Sequence, residues 1–162
     1  MRVAWRISEE AECYAADDAS GKGASTTGGR WNRQGSSVVY CSANIGVACL
    51  ETLVRLDAAR LVDNRYLTRY DIPESIWRQA LQFSASSAPV GWDATPPGKT
   101  SHDLGERWIA ESRSAILLVP SVIVPEEYNV LINPNHADMG RIEITKLRKW
   151  IYDFRLVRRR LT

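Results

Sequence analysis

The stretch Gly-Gly-Arg-Trp-Asn at residues 28–32 sets two residues without side chains directly before a permanent cation and follows the cation with an indole. A glycine pair lets the backbone turn sharply and approach a ligand closely. A guanidinium offers a planar fork of donors suited to a diphosphate or a carboxylate. Arg30 is therefore a candidate phosphate clamp; the competing reading is a surface arginine after a β-turn, with Trp31 as a core anchor. Tyr40 ends a β-branched run, and Glu51 lies two turns into the helical pattern that follows, between Val47 and Val54 at three-and-four spacing. A carboxylate on that semi-apolar stripe needs compensation. Either it pairs with Arg55 at i, i+4, worth a few tenths of a kcal/mol, or it looks into a cleft beside Tyr40. Ser121, in Val-Pro-Ser, breaks an apolar run where a hydroxyl can meet a ligand or simply shape a turn.

These residues have to be positioned by alternating element types. "RVAWRI" alternates like a strand, and "SSVVYCS" is β-branched between Gly35 and Asn44, after which "NIGVACLETLVRL" switches to helical spacing. "RYLTRYDI" reads as a strand stopped by Pro73, and "PESIWRQAL" as a short helix with Pro73 at its first position. Residues 84–99 form a long loop rich in Ser, Pro and Gly, of a length that tends to be functional or mobile. "TSHDLGERWIAES" opens on a capping-box-like Thr100 and Asp103 and puts Leu104 and Trp108 on one helix face. "SAILLVPS" and "EYNVLINP" are apolar runs ended by prolines, and "RKWIYDFRLV" alternates to the end of the chain as a last strand. The sum is an α+β single domain over residues 1–162, with a mixed or antiparallel sheet and flanking helices.

Composition narrows the function classes. With 162 residues, 44% of them hydrophobic and 25% charged, the chain suits one globular domain with a substantial core. The N-terminus lacks a signal-peptide apolar region, and no apolar run approaches the roughly 18 residues of a membrane span; a soluble, cytoplasmic protein is expected. Cys13, Cys41 and Cys49 have no metal-type spacing, and with only His102 and His136 no zinc set can be assembled. Residues 141–162 carry eight basic and two acidic side chains, a balance of +6 that leaves −4 for the rest of a chain of net charge +2. This basic end is a solvated face or a dock for an acidic partner or phosphate backbone. The aromatic residues are not interleaved with it, which argues against direct nucleic-acid binding.

The ordered blocks "GGRWNRQGSSVVYCSANIGVACLETLVRL", "GERWIAESRSAILLVPSVIVPEEYNVLINPNH" and "FRLV" resemble the RES domain family, named for its arginine, glutamate and serine. The resemblance spans nearly the whole chain and places the family's Arg at Arg30, its Glu at Glu51, its Ser at Ser121 and an associated tyrosine at Tyr40. It implies a fold similar to ADP-ribosyltransferases and the toxin of a bacterial type II toxin–antitoxin pair, with an Xre-like antitoxin that covers the active site. The substrate it implies is NAD+, whose nicotinamide–ribose bond is hydrolysed or phosphorolysed; the alternative is mono-ADP-ribosyl transfer to a protein. NAD+ is then a substrate rather than a cofactor, and the chain has no GxGxxG fingerprint for a hydride carrier.

On this resemblance Glu51 stabilises the oxocarbenium-like ribose, as carboxylates do in glycoside hydrolysis. Arg30 holds phosphates or ribose; Tyr40 and Ser121 flank the nicotinamide ring or bond its carboxamide or ribose, in either order. Gly29 and Trp31 complete the substrate-binding turn. His136 lines the cleft or is an ordinary loop histidine. The run Arg155–Arg160 is a candidate dock for an acidic antitoxin segment. A protein that keeps the fold without catalysis is the remaining alternative.

Overall fold

A computed structural model describes residues 1–56 and 64–156. In chain order its elements are β1 (Arg2–Glu9), α1 (Lys22–Thr27), β2 (Val39–Ser42), α2 (Ile45–Leu53), β3 (Arg65–Ile72), α3 (Glu74–Trp77), β4 (Leu81–Gln82), α4 (Lys99–Glu111), β5 (Ile116–Pro120), β6 (Tyr128–Ile132) and β7 (Glu143–Trp150). Short 3-10 turns cover Ala137–Arg141 and Phe154–Leu156. The strands form one sheet in the order β4-β5-β6-β2-β1-β3-β7. β4 and β5 run parallel and the other neighbouring pairs antiparallel, so the sheet is mixed and the fold α+β, as the sequence predicts.

The sheet is nearly parted in the middle. β1 pairs with β3 along its whole length, from Arg2↔Ile72 to Glu9↔Arg65, but with β2 only at Trp5↔Ser42. Where two strands diverge, their backbones no longer close the gap between them, and a cleft opens along β1 and β2.

Packing on either side of this split keeps it open. β5 and β6 are buried on both faces, which is why they read as near-continuous apolar runs. One face carries Val39, Cys41, Ile116, Leu118, Val130 and Ile132 with Tyr70, Ile72 and Ile76. The other packs Leu117, Val119 and Leu131 against Trp31, Trp92 and Trp108. α2 lies across β1 and β3, with Ala48 against Ile7 and Leu67. Its entry is fixed by Asn44, whose side chain accepts the Val47 amide at 2.9 Å and so satisfies an otherwise unpaired donor of the first turn.

Four local expectations are corrected. The helix predicted over Pro73–Leu81 is α3 alone: Pro73 is its N-cap, at φ −54° and ψ 140°, and Leu81 belongs to β4. An edge pairing with β5, Leu81↔Leu117, outweighs continued helix there. Helix α4 starts at Lys99 with Gly98 as N-cap and no side-chain cap, so the Thr100–Asp103 box does not form. Asp103 instead pairs with Lys99 and with Arg33, to which it lies at 2.6 Å. The last strand ends at Trp150, since β7 pairs with β3 only as far as Arg65↔Trp150, and "IYDFRL" leaves the sheet.

Candidate active site

The Gly28–Asn32 turn is held from three sides. Gly28 adopts φ 72°, the left-handed region that favours glycine. Gly29 is needed for a different reason: a Cβ there would stand 2.6 Å from the Tyr40 hydroxyl and 2.8 Å from Asn32 Oδ1. The close approach read from the sequence is therefore, in this structure, an approach of the turn to Tyr40. The Tyr40 hydroxyl donates to Asn32 Oδ1 at 2.7 Å and accepts the Trp31 amide at 3.1 Å. Asn32 is fully buried, and its Nδ2 donates to the carbonyls of Ala24, Arg33 and Ser36. Burial pushes the Tyr40 hydroxyl well above the usual tyrosine range; the Trp31 amide opposes this only in part.

Helix α4 closes the turn from behind. Glu106 accepts the Arg33 amide and the Ser36 hydroxyl, both at 2.7 Å, and His102 Nε2 lies 2.9 Å from the Gly29 carbonyl oxygen. Gly105 packs so tightly that a Cβ would fall 1.7 Å from the Trp31 carbonyl oxygen. Trp31 is 2% exposed and stacks on Trp92 of the long loop, ring centroids 6.3 Å apart. Arg30 turns the other way, and its Nη1 donates to the carbonyls of Trp92 and Ala94 at 3.0 and 2.7 Å.

Across the cleft stands Glu51. It has no ion pair with Arg55 among the described residues. Its Oε1 accepts the Ser121 hydroxyl at 2.8 Å and Asn129 Nδ2 at 2.6 Å, whereas no described hydrogen bond reaches Oε2. Ser121 is fully buried, and its Oγ also accepts the amides of Ile123 and Val124. Here it shapes the turn after Pro120 and holds Glu51; its hydroxyl has no free position for a substrate. Asn129 is oriented in turn by Ser42, whose hydroxyl donates to its Oδ1 at 2.8 Å. Two strands and a turn thus fix one carboxylate oxygen, while no described hydrogen bond holds the other.

The cleft has two lobes whose shared lining includes Gly28, Gly29, Tyr40, Glu51, Arg55 and Asn129. One, of about 540 Å³, runs between β1 and β2 and adds Arg6 and Tyr14; the other, of about 590 Å³, adds Arg30, Thr95 and Pro97. Each lobe falls within the range of volumes that hold small-molecule ligands. The structure brings together Arg30, Tyr40 and Glu51 around the cleft, with Ser121 behind Glu51 and Trp31 behind the turn. His136 caps the Ala137–Arg141 turn, its Nδ1 accepting the Asp138 amide at 3.1 Å, and is not among the cleft's lining residues. Arg155 pairs with Asp153 at 2.7 Å, while Arg158, Arg159 and Arg160 lie outside the described residues.

Sequence reasoning missed Asn129, Asn32 and Arg6. The first is a polar residue inside an apolar strand run, and the second follows the turn's tryptophan; both were visible as types but not as partners. Arg6 is a cation inside the alternating β1 run, donating to the Tyr14 hydroxyl at 2.8 Å and the Asp18 carbonyl at 2.9 Å. Among the described residues no group of three His, Cys, Asp or Glu side chains is disposed to hold a metal, and no helix is long and apolar enough to cross a membrane.

Comparison with known proteins is consistent across the chain. The RES domain model matches residues 3–155. The protein named Prs ADP-ribosylating toxin from Sphingobium sp. (strain YBL2) is 48% identical over 155 residues, covering 96% of each chain. The protein named Toxin Res from Photorhabdus laumondii subsp. laumondii is 35% identical over 146 residues, 90% of this chain and 92% of the relative. Among solved structures, a chain of the crystal structure of the M. tuberculosis MbcT–MbcA toxin–antitoxin complex superposes with a TM-score of 0.69 at 15% identity. The match covers 93% of this chain and 84% of that one. At that identity the likeness concerns the fold.

Proposed function

The chain belongs to the RES domain family, and from that premise we propose that it breaks the nicotinamide–ribose bond of NAD+ and acts as the toxin of a toxin–antitoxin pair. The observation that carries this reading is Glu51: a carboxylate lining both lobes of a ligand-sized cleft, locked at one oxygen by Ser121 and Asn129 and with no described hydrogen bond at the other. When the C1′–N bond breaks, the bonding pair stays with nicotinamide, which leaves as a neutral ring. Positive charge develops over C1′ and the ribose ring oxygen. A fixed negative oxygen at that point stabilises the transition state without having to reorganise, and a neutral leaving group needs no strong general acid. Arg30 holds the phosphate or ribose, Tyr40 flanks the nicotinamide with its ring while its hydroxyl stays protonated in the turn, and Gly29 and Trp31 fix that turn. NAD+ is the substrate, and no cofactor or metal enters the scheme.

The relative named as an ADP-ribosylating toxin favours a protein side chain as the acceptor of ADP-ribose; water or phosphate gives the glycohydrolase or phosphorylase outcome. The partner expected is an Xre-like antitoxin that covers the cleft, in line with the toxin–antitoxin complex that shares the fold. The test incubates the purified chain with NAD+, with and without cell extract. Nicotinamide release with an ADP-ribose adduct on an extract protein supports transfer. Free ADP-ribose or its phosphate supports hydrolysis or phosphorolysis, and undiminished NAD+ over hours at micromolar protein overturns the reading.

A further inference from the structure

The two lobes of the cleft share one more ionisable side chain that the scheme above does not use. Arg55 follows Glu51 by four residues, and the chain between them stays helical through Val54, at φ −66° and ψ −18°. Residues at that spacing share a helix face, which explains why both line both lobes.

The cations around the cleft differ in what already occupies them. Arg6 donates to Tyr14, Tyr70 and the Asp18 carbonyl. Arg65 lies 4.0 Å from Glu9. Arg30 donates to the carbonyls of Trp92 and Ala94. The Arg55 guanidinium is exposed and has no hydrogen bond or ion pair among the described residues, so all five of its donors are available. It also lies near enough to act on Arg30. Burial lowers the Arg30 guanidinium below its usual range, Glu51 and Asp93 oppose that, and Arg55 adds like-charge repulsion. Two guanidiniums that face one cleft repel each other, the Glu51 and Asp93 carboxylates offset this in part, and a bound dianion adds attraction to both.

We propose that Arg55 is a substrate-binding residue: it takes one phosphate of a dinucleotide's diphosphate while Arg30 holds the neighbouring phosphate or ribose, presenting the nicotinamide ribose to Glu51. The inference rests on the NAD+ reading for its substrate, but its core is a diphosphate site built from Arg30 and Arg55. The competing role for Arg55 is a cation at the C-terminus of α2, where it meets the negative end of the helix dipole and touches no ligand.

The experiment measures binding of ADP-ribose, inorganic pyrophosphate and adenosine by calorimetry, together with nicotinamide release from NAD+. The proteins compared are wild type, Arg55→Ala, Arg55→Lys and Arg78→Ala; the last removes the same charge from an exposed site at the end of α3, away from the cleft. Arg55→Ala should weaken ADP-ribose and pyrophosphate at least about tenfold and raise KM for NAD+ in proportion, with kcat within about threefold, because the contact is made equally in ground and transition states. Arg55→Lys should fall between, adenosine binding should not change, and Arg78→Ala should match wild type. The wild-type affinity for ADP-ribose should drop with salt more steeply than that of Arg55→Ala.

An Arg55→Ala protein of normal melting temperature that binds ADP-ribose like wild type overturns the inference and leaves Arg55 as a helix-end cation. So does a wild type that binds neither ADP-ribose nor pyrophosphate. A wild type that binds both through Arg55 yet releases no nicotinamide overturns the NAD+ cleavage reading instead, and leaves the diphosphate site standing.

Discussion

The two walls of the cleft are built on opposite plans. On the turn wall, Gly29, Trp31, Asn32 and Tyr40 satisfy one another: the Tyr40 hydroxyl bonds Asn32 and the Trp31 amide, and Asn32 bonds three carbonyls. On the α2 wall, among the described residues, Glu51 keeps one oxygen free and Arg55 keeps its whole guanidinium free. A polar group whose partners are all internal contributes shape, since breaking it costs desolvation without any gain from a ligand. A polar group held at one atom and open at another is preorganised for a ligand, because its orientation is already fixed before binding. The turn wall is thus a scaffold around Arg30, and on the proposed reading the helix wall carries the reactive charges. Read from the sequence alone, both walls have the same standing as candidate chemistry.

This contrast breaks most sharply at Glu51. Glu51→Gln keeps volume and helix propensity but removes the negative charge, and turnover should fall on the order of a hundredfold or more, about 3 kcal/mol of transition-state stabilisation. NAD+ affinity and melting temperature should hardly move, because the substituted side-chain amide retains an oxygen to accept from Ser121 and Asn129. A folded variant with near-normal nicotinamide release would make the α2 wall scaffold as well.

The turn wall should fail through stability instead. Gly29→Ala forces a Cβ to 2.6 Å from the Tyr40 hydroxyl, an overpacking that should cost about 1–3 kcal/mol. A lowered denaturation midpoint, with activity lost in step with the folded fraction, is the expected outcome. An alanine variant of wild-type stability that no longer binds NAD+ would show Gly29 serving the ligand directly.

Tyr40→Phe tests the same wall more gently. It keeps the ring and removes the hydroxyl, leaving the Trp31 amide and Asn32 Oδ1 short of a partner, which should cost on the order of 1–2 kcal/mol. If Tyr40 acts on nicotinamide through its ring, kcat of the folded fraction should stay within a few-fold of wild type. A fall of a hundredfold would assign the hydroxyl a chemical role and erase the contrast between the walls.

The mildest probe is alkaline pH. Burial pushes the Cys41 thiol on β2 from 9.0 up to about 12, with Arg6 opposing. The folded state therefore holds this proton more tightly than the unfolded chain. Its contribution is complete below pH 9 and is lost as pH rises from 9 toward 12, so stability should drop on the order of 1 kcal/mol between pH 8 and pH 10. Cys41→Ala should flatten that part of the profile. An unchanged slope would mean that other groups, such as the half-buried Tyr40 and the buried Tyr70, whose hydroxyls are also raised, carry the alkaline loss.

Before folding, the sequence determines the element types where periodicity is long, as in β1, β3 and α2, and the ordered Arg30, Tyr40, Glu51 and Ser121 blocks that place the chain in its family. It also determines that the turn before Arg30 can take a left-handed backbone, since glycine adopts it without strain. It does not determine which of these residues meet. Glu51 has Arg55 as its nearest cation along the helix, yet its partners are Ser121 and Asn129, 70 and 78 residues away. Short-range spacing carries information only about neighbours on one element, whereas these bonds depend on β5 and β6 arriving beside β2 and on α2 lying across β1. For the same physical reason the cleft itself was not legible: it exists because β1 and β2 share one register pair and then part, a property of sheet assembly rather than of any segment. Tertiary packing likewise decided that Gly29 faces Tyr40, and that Glu51 stands in the lining of both lobes with one carboxylate oxygen held by side chains from a distant turn and a distant strand and no described hydrogen bond to the other.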